Sequence, residues 1–219
     1  MERRFSLRAL LRAHPEYCYA LFVPAFLICF FLVERLVPPE GGYWVSHCAL
    51  DDRIPFAEVF VIPYCLWYPL LLFTGLGLML RDTAEFRRYM WFLMLGFGFS
   101  LLFCLAFPNG QDLRPSEFPR SNVFTWLLGR IYAADTNTNV LPSMHVIGAC
   151  AAALSACRSR ALGRWAPVTV VIVAVLICLS TVFVKQHSVL DVLAGFAVSL
   201  PLALLLHCPR KRAKSAFRK

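Results

Sequence analysis

The chain alternates long apolar stretches with short polar segments, and six of the apolar stretches predict membrane-spanning helices. Crossing about 30 Å of hydrocarbon takes about 20 apolar residues in a helix. Backbone polar groups inside a bilayer must be satisfied within the protein, so these segments are expected to be helical. The fourth stretch is short and rich in small residues. The predicted spans cover residues 17–37, 56–80, 89–107, 143–157, 166–184 and 189–208.

Composition favours the same class of protein. Of the 219 residues, 59% are hydrophobic and 16% are charged, whereas soluble domains carry about 25% charged residues. A soluble core cannot bury this much apolar surface, so the pattern argues against a soluble helical protein. We predict an all-α membrane protein with six transmembrane helices and its catalytic core on the last three or four. Residues 1–219 are expected to form a single integral-membrane domain.

The basic residues fall on one side of a six-span arrangement, and this sets the expected orientation. The net charge is +9, and sixteen of the 22 Lys and Arg residues lie in the two termini, the second loop and the fourth loop. Cytoplasmic segments carry an excess of Lys and Arg, so both termini are predicted to be cytoplasmic, with basic tails at 1–16 and 209–219. Such tails bind anionic lipid head groups. This placement argues against nucleic acid as a partner, and it leaves the oligomeric state open.

A polar segment precedes the fourth span, where residues 142–145 read P-S-M-H. Pro at an early helical position, with Ser beside it, marks a helix N-terminus. That end of a helix offers unpaired N–H groups and a partial positive charge, and both suit an anion. Ser143 and His145 would then lie close to a bound anion. A single His at a helix end is, however, more often structural than catalytic.

A second polar group lies between the fifth and sixth spans and contains Ser180, Lys185, His187 and Asp191. His187 and Asp191 are four residues apart, so they share one face of a helix. A carboxylate bound to one imidazole nitrogen fixes the tautomer and makes the other nitrogen a better nucleophile or base. The alternative is a buried polar pair that joins two helices.

A third group is Arg114 with Pro115, in the long segment between the third and fourth spans. A guanidinium presents a planar fork of donors that matches phosphate oxygens. A single loop Arg is also compatible with a solvated charge or a contact to a lipid head group. The orientation inferred from the basic residues brings all three polar groups to the extracytoplasmic face. We therefore expect an anion-binding active site on that face.

The order and spacing of these groups resemble the type 2 phosphatidic acid phosphatase superfamily. Its members carry K-x6-R-P, then P-S-G-H, then S-R-x5-H-x3-D, on a six-helix core. In this chain Phe107 replaces the Lys of the first motif and Thr181 replaces the Arg of the third. Lys185 lies one turn beyond Thr181, so on a continuous helix its ammonium would reach the same site. The residues that match the motifs are Arg114, Pro115, Pro142, Ser143, His145, Ser180, His187 and Asp191.

The resemblance implies a role for each matching residue. His187 would attack phosphorus and form a phosphohistidine, with Asp191 orienting its ring, and His145 would protonate the leaving group. The reaction would need no metal ion and no other cofactor. The phosphoryl oxygens would be held by Arg114, Ser143, Ser180 and Lys185.

The resemblance also implies a function, with two alternatives. Metal-independent hydrolysis of a lipid phosphate or pyrophosphate is the first, with phosphatidate, phosphatidylglycerol phosphate or a polyprenyl diphosphate as substrate. A looser similarity to inositol-phosphoceramide and sphingomyelin synthases implies transfer of a phospho-head group to an alcohol such as inositol. The changes at Phe107 and Thr181 leave open a non-catalytic, phospholipid-binding membrane protein. Nine cysteines without a C-x-x-C pair predict neither a disulfide framework nor a metal site.

Overall fold

The computed structural model of the protein describes residues 13–36 and 42–207. Most of the predicted basic tails, at 1–16 and 209–219, therefore lies outside the described residues. Five helices in the described part are long and apolar enough to cross a membrane, which makes the chain a multi-pass membrane protein. They are Pro15–Leu36, Glu58–Arg81, Thr83–Ala106, Ala166–Phe183 and Val189–His207.

The helices follow the predicted stretches closely, and we number them along the chain. A 3-10 segment, Pro15–Leu21, leads into α1 (Phe22–Leu36). The second span begins with a 3-10 turn, Glu58–Phe60, and continues as two α-helices. The elements after α1 are β1 (Trp44–Val45), α2 (Val61–Cys65), α3 (Trp67–Arg81), α4 (Thr83–Ala106), β2 (Asn109–Gly110), α5 (Val123–Ala134), α6 (Met144–Arg158), α7 (Ala166–Phe183) and α8 (Val189–His207).

The second span is interrupted at Leu66, between α2 and α3. Pro69 lies one turn further on and has no backbone N–H, so it cannot donate to the carbonyl of Cys65. A proline inside a helical span is a common cause of a kink. The interruption places Tyr64 and Trp67, on either side of it, where both rings contact the His145 ring.

Helix α6 is the centre of the bundle and packs against α3, α4, α7 and α8. It corresponds to the predicted fourth span but has 15 residues, so it is shorter than the five candidate spans. Small residues let its neighbours approach closely. A Cβ added to Gly148 would lie 2.8 Å from Trp67 Nε1, and one added to Gly195 of α8 would lie 2.8 Å from Val146 Cβ.

The end of the bundle where α6 and α8 begin is covered by a loop cap, which we define as residues 42–57, 107–122 and 135–143. In the cap β1 pairs in parallel with β2, and Gly110 bridges to Thr138. The buried Asn109 side chain donates to the carbonyls of Phe107 and Leu141, and its oxygen accepts from the N–H groups of Val140 and Leu141. These bonds fix the segment that enters α6.

Candidate active site

His187 lies at the centre of a row of three side chains at the capped end of the bundle. Its Nδ1 is 3.3 Å from Asp191 Oδ2, and its Nε2 is 3.4 Å from Nδ1 of His145. Asp191 is fully buried and His187 is 8% exposed. A carboxylate at Nδ1 favours the tautomer that carries its proton there, which leaves the Nε2 lone pair facing His145. The structure therefore brings together the three residues predicted to be catalytic.

Asp191 is held by donors besides the histidine. The backbone N–H of Ser188 donates to Oδ2 at 2.8 Å, and the hydroxyl of Ser46 donates to Oδ1 at 2.5 Å. Ser46 is fully buried and lies 145 residues before Asp191 in the chain. Ser46 could not be predicted from the sequence, because no motif or periodicity connects a loop serine to a residue so far away.

The loop cap also holds the N-terminus of α8 through a buried carboxylate, Asp51. Its oxygens accept from the Ser188 hydroxyl at 2.6 Å and from the N–H groups of Val189 and Cys48, both at 2.8 Å. Burial by itself raises the pKa of Asp51, but these hydrogen bonds outweigh it and the pKa is lowered. Asp51 therefore stays ionised and anchors the turn that carries His187.

Lys185 is directed at the loop cap and not at the histidines. Its ammonium donates to the carbonyls of Asp51 at 2.8 Å and Ile54 at 2.7 Å. The backbone of Lys185 has a φ of 54°, because helix α7 has already ended at Phe183. The prediction that Lys185 extends to the phosphate site along a continuous helix is therefore wrong. Lys185 instead binds the loop that carries Asp51.

The two serines predicted to bind phosphate differ in their surroundings. Ser143 is fully buried and its hydroxyl has no hydrogen-bond partner among the described residues. Its N–H donates to the carbonyl of Asp191 at 3.1 Å, which joins the starts of α6 and α8. Ser180 donates to the carbonyl of Ile177 within α7. The Ser143 hydroxyl is therefore unpaired among the described residues but does not line the cavity beside the histidines, whereas the Ser180 hydroxyl is engaged in its own helix.

Arg114 is predicted to clamp a phosphate, and the structure shows its terminal nitrogens bound to protein oxygens. Nη1 donates to the carbonyls of Tyr132 and Asp135, and Nη2 donates to the carbonyl of Thr136 and to Gln186 Oε1. These four bonds use all four terminal hydrogens. Burial lowers the pKa of Arg114. In this arrangement the guanidinium fixes the chain after α5, and only its Nε lacks a partner.

The two positions that depart from the superfamily motifs are filled by groups without charge. Phe107 contacts the rings of Trp44 and Phe103, with centroids 5.7 and 5.6 Å away. Thr181 is fully buried, and its hydroxyl donates to the carbonyl of Cys178. Neither position therefore replaces the missing cation.

A cavity of about 340 Å³ opens beside the two histidines. One wall is apolar and aromatic, formed by α1 with α2 and α3. The other wall is polar and comes from the loop cap and the turn before α8. No Lys or Arg lines the cavity in the part of the chain that the structure describes. The polar lining comprises Asp135, Thr136, Thr138, Asn139, His145, Gln186 and His187.

Helix α1 is attached to this wall by Glu34, a residue that no motif in the sequence singles out. One Glu34 oxygen accepts from Asn139 Nδ2 at 2.7 Å, and the other accepts from the Thr136 hydroxyl. In the most apolar part of the first span only 11% is buried inside the protein, compared with 50% in α4. Glu34 therefore fixes the cavity wall that α1 provides.

Comparison with known proteins agrees with the motifs. Residues 116–214 match the family model of the PAP2 superfamily, and this confirms the resemblance. Searches among curated proteins and among solved structures gave no match. The matched segment contains both histidines and Asp191, and it begins two residues after Arg114. Over residues 116–214 the chain is therefore similar to the PAP2 superfamily, a family of phosphatases and phosphotransferases that act on phosphate esters.

Proposed function

We propose that the protein hydrolyses a lipid phosphate through a phosphohistidine on His187, without a metal ion. The row of Asp191, His187 and His145 carries the proposal, with nitrogen–oxygen and nitrogen–nitrogen distances of 3.3 and 3.4 Å. The cavity beside it supports a lipid substrate, because a polar wall faces an apolar one. A phosphate ester with an acyl or polyprenyl tail likewise combines a polar head group with an apolar tail.

The proposed reaction has two steps. Asp191 holds the proton of His187 on Nδ1, so Nε2 attacks phosphorus, the N–P bond forms and the bond to the leaving oxygen breaks. His145 gives that oxygen its proton. In the second step water transfers a proton to His145 and attacks phosphorus. The N–P bond then breaks, phosphate is released and His187 regains its lone pair.

The distance between His187 Nε2 and His145 Nδ1 is shorter than this chemistry needs. An in-line displacement places nucleophile and acid on opposite sides of phosphorus, with an attack distance of about 3–3.5 Å. The two reacting nitrogens therefore have to separate from 3.4 Å when substrate enters. The Nε2 of His145 is buried without a partner, so no hydrogen bond at that atom opposes the movement.

The full span count and the orientation are also proposals. We take α6 as a sixth span, since about 1.5 Å per residue gives it about 22 Å and the bundle around it shields the non-helical ends. We place the site on the extracytoplasmic face, because basic residues lie at the other end of the bundle. A reporter fused after residue 219 tests the orientation, and it should be active only in the cytoplasm. The basic residues at that end are Arg81, Arg87, Arg88, Arg158, Arg160 and Arg164.

Purified protein in detergent, with EDTA present, tests the enzymatic proposal. We expect it to release phosphate from phosphatidate, phosphatidylglycerol phosphate or a polyprenyl diphosphate. Radiolabelled substrate should leave an acid-labile, alkali-stable label on the protein, and His187→Ala should remove it. Lipid binding without turnover, unchanged by His145→Ala, would instead identify a non-catalytic phospholipid-binding protein.

The cavity lining favours one second candidate, a phosphotransferase with a phosphodiester donor. A phosphomonoester carries about 1.5 to 2 negative charges at neutral pH, and a phosphodiester carries only one. A cavity without Lys or Arg among the described lining residues suits the smaller charge. Addition of an alcohol acceptor such as inositol distinguishes the two, because only a transferase forms a new phospholipid from it.

A further inference from the structure

The cavity contains an acidic side chain that the reaction described above does not use, Asp135. It follows the last residue of α5 and lines the same cavity as His145 and His187. Its carboxylate forms no hydrogen bond and no ion pair with any described residue, although its main chain bonds to Ile131 and Arg114. The terminal hydrogens of Arg114 are all directed at other oxygens. The Asp135 carboxylate is thus open to a ligand.

A second acceptor in the cavity is also unsatisfied. Asn139 is 6% exposed and lines the cavity, and its Oδ1 has no hydrogen-bond partner. Its amide orientation is fixed, because Nδ2 must face the carboxylate of Glu34, to which it donates at 2.7 Å. A buried carbonyl oxygen that accepts no hydrogen bond lowers the stability of the protein. A ligand that brings a donor removes this cost.

The surroundings of Asp135 favour a cation over a neutral donor. The pKa of Asp135 is raised to about 6, mainly by burial and also by the nearby Glu34 carboxylate, and Arg114 and His187 offset only part of this rise. At neutral pH the ionised group is therefore poorly compensated. The rest of the lining includes the rings of Phe26, Phe30 and Tyr68, and aromatic faces attract alkylammonium groups.

We propose that Asp135 and Asn139 form a head-group subsite for the ammonium of a lipid phosphodiester, such as a phosphoethanolamine head group. This rests on the second candidate function above, which uses a phosphodiester donor, and it specifies the head group of that donor. With phosphorus at His187, the amine lies on the Asp135 side of the cavity and the tails lie along the apolar wall. His187 takes the phosphoethanolamine group from the lipid, and diacylglycerol leaves with a proton from His145. An alcohol or water then accepts the group and returns a proton to His145.

The experiment compares three lipids in detergent micelles: phosphatidylethanolamine, phosphatidylinositol and phosphatidate. The variants are Asp135→Asn, which keeps shape but removes charge, and Asp112→Asn as a matched control. Asp112 is an exposed loop-cap carboxylate that accepts from Tyr43 and Asn137. We expect the wild type to prefer phosphatidylethanolamine. Asp135→Asn should lower kcat/KM for that lipid at least about tenfold and leave phosphatidate unchanged or improved, while Asp112→Asn should preserve the preference.

Two further readouts separate recognition from folding. Asp135 ionises near pH 6, so the wild-type preference for phosphatidylethanolamine over phosphatidate should grow from pH 5 to pH 7, and the Asn variant should lack this growth. The raised pKa means that the ionised carboxylate costs stability above pH 6, a cost absent below pH 4. Asp135→Asn should therefore raise Tm by about 2–4 °C at pH 8, with a smaller rise at pH 4.

Other outcomes contradict the proposal. A wild-type preference for phosphatidate or phosphatidylinositol, or an equal loss on all three lipids in Asp135→Asn, overturns it. Absence of turnover on every lipid would contradict the proposed function, and binding of the three lipids then decides the subsite separately. Selective binding of phosphatidylethanolamine that Asp135→Asn abolishes supports the subsite, whereas equal binding of the three lipids overturns it.

Discussion

A histidine lies beside a carboxylate at each end of helix α8, and the two pairs differ in what surrounds them. Near its start, His187 lies 3.3 Å from Asp191, with His145 on the other side of its ring. At its last residue, His207 Nε2 lies 2.9 Å from Glu85 of α4. Both pairs are buried, and the distance in the second pair is the shorter one.

The difference lies in the third partner and in access. His187 faces a second imidazole and a cavity. The carboxylate of Glu85 is instead shared with Arg88, at 2.9 Å, and neither His207 nor Glu85 lines that cavity. A histidine–carboxylate pair is therefore an orienting unit in both places. It becomes a candidate for chemistry only where the free nitrogen meets a proton donor and open space.

The largest expected effect separates the two histidines directly. His187→Ala should lower kcat/KM at least about 1,000-fold, because it removes the nucleophile. His207→Ala should change kcat/KM of the folded protein less than about twofold. Phosphate release from the preferred lipid, normalised to folded protein, measures both. Comparable losses of kcat/KM in the two variants would show that the surroundings of His187 do not set it apart from His207.

A smaller effect is expected from the residue that positions Asp191. Ser46→Ala removes the hydroxyl that donates to Asp191 Oδ1, and we expect kcat/KM to fall about tenfold, the equivalent of a hydrogen bond of about 1.4 kcal/mol. The loss should appear in kcat, with KM changed less than about twofold, because Ser46 holds Asp191 and does not line the cavity.

Two variants make this a test of positioning. Ser46→Thr keeps a hydroxyl and should restore most of the activity. Ser199→Ala removes a buried hydroxyl in the same helix that donates to the carbonyl of Gly195, so it should leave kcat unchanged. An unchanged kcat in Ser46→Ala would show that Ser46 has a structural role alone.

The smallest expected effect on activity, together with a clear one on stability, is at the other end of α8. His207→Ala leaves Glu85 without one of its partners, and we expect the free energy of unfolding to fall by about 1–3 kcal/mol. Thermal unfolding in detergent measures this as a lower Tm. A wild-type Tm would mean that the His207–Glu85 contact at 2.9 Å contributes nothing to stability.

The sequence predicts the parts of the fold and site that are local in the chain. Apolar run length locates the span ends to within about two residues, except at the start of α4, which begins at Thr83, six residues before the predicted span. The separation of four residues predicts the pairing of His187 with Asp191 on a helix; the two side chains do meet, although His187 lies in the turn before α8 begins. The start of α6 follows from Pro142 and Ser143, which precede its first residue, Met144.

The parts that could not be predicted depend on contacts between distant segments. Ser46 and Asp51 reach α8 from a loop more than 130 residues earlier, and polar loop residues carry no periodic signal. Lys185 was expected to follow a continuous helix, but α7 ends two residues before it. Helix α5 is 12 residues long, too short to be recognised as a span, and the sequence analysis assigned it no structure.

The glycine at position 195 has a consequence for how the two histidines are spaced. A Cβ there would lie 2.8 Å from Val146 Cβ and 3.0 Å from the carbonyl oxygen of Ser143, both in the first turn that carries His145 or just before it. Any larger side chain would wedge α6 from α8. The distance between the acid His145 and the nucleophile His187 therefore depends on a residue that takes no part in the reaction. A single methyl group at Gly195, which does not line the cavity, would change that distance.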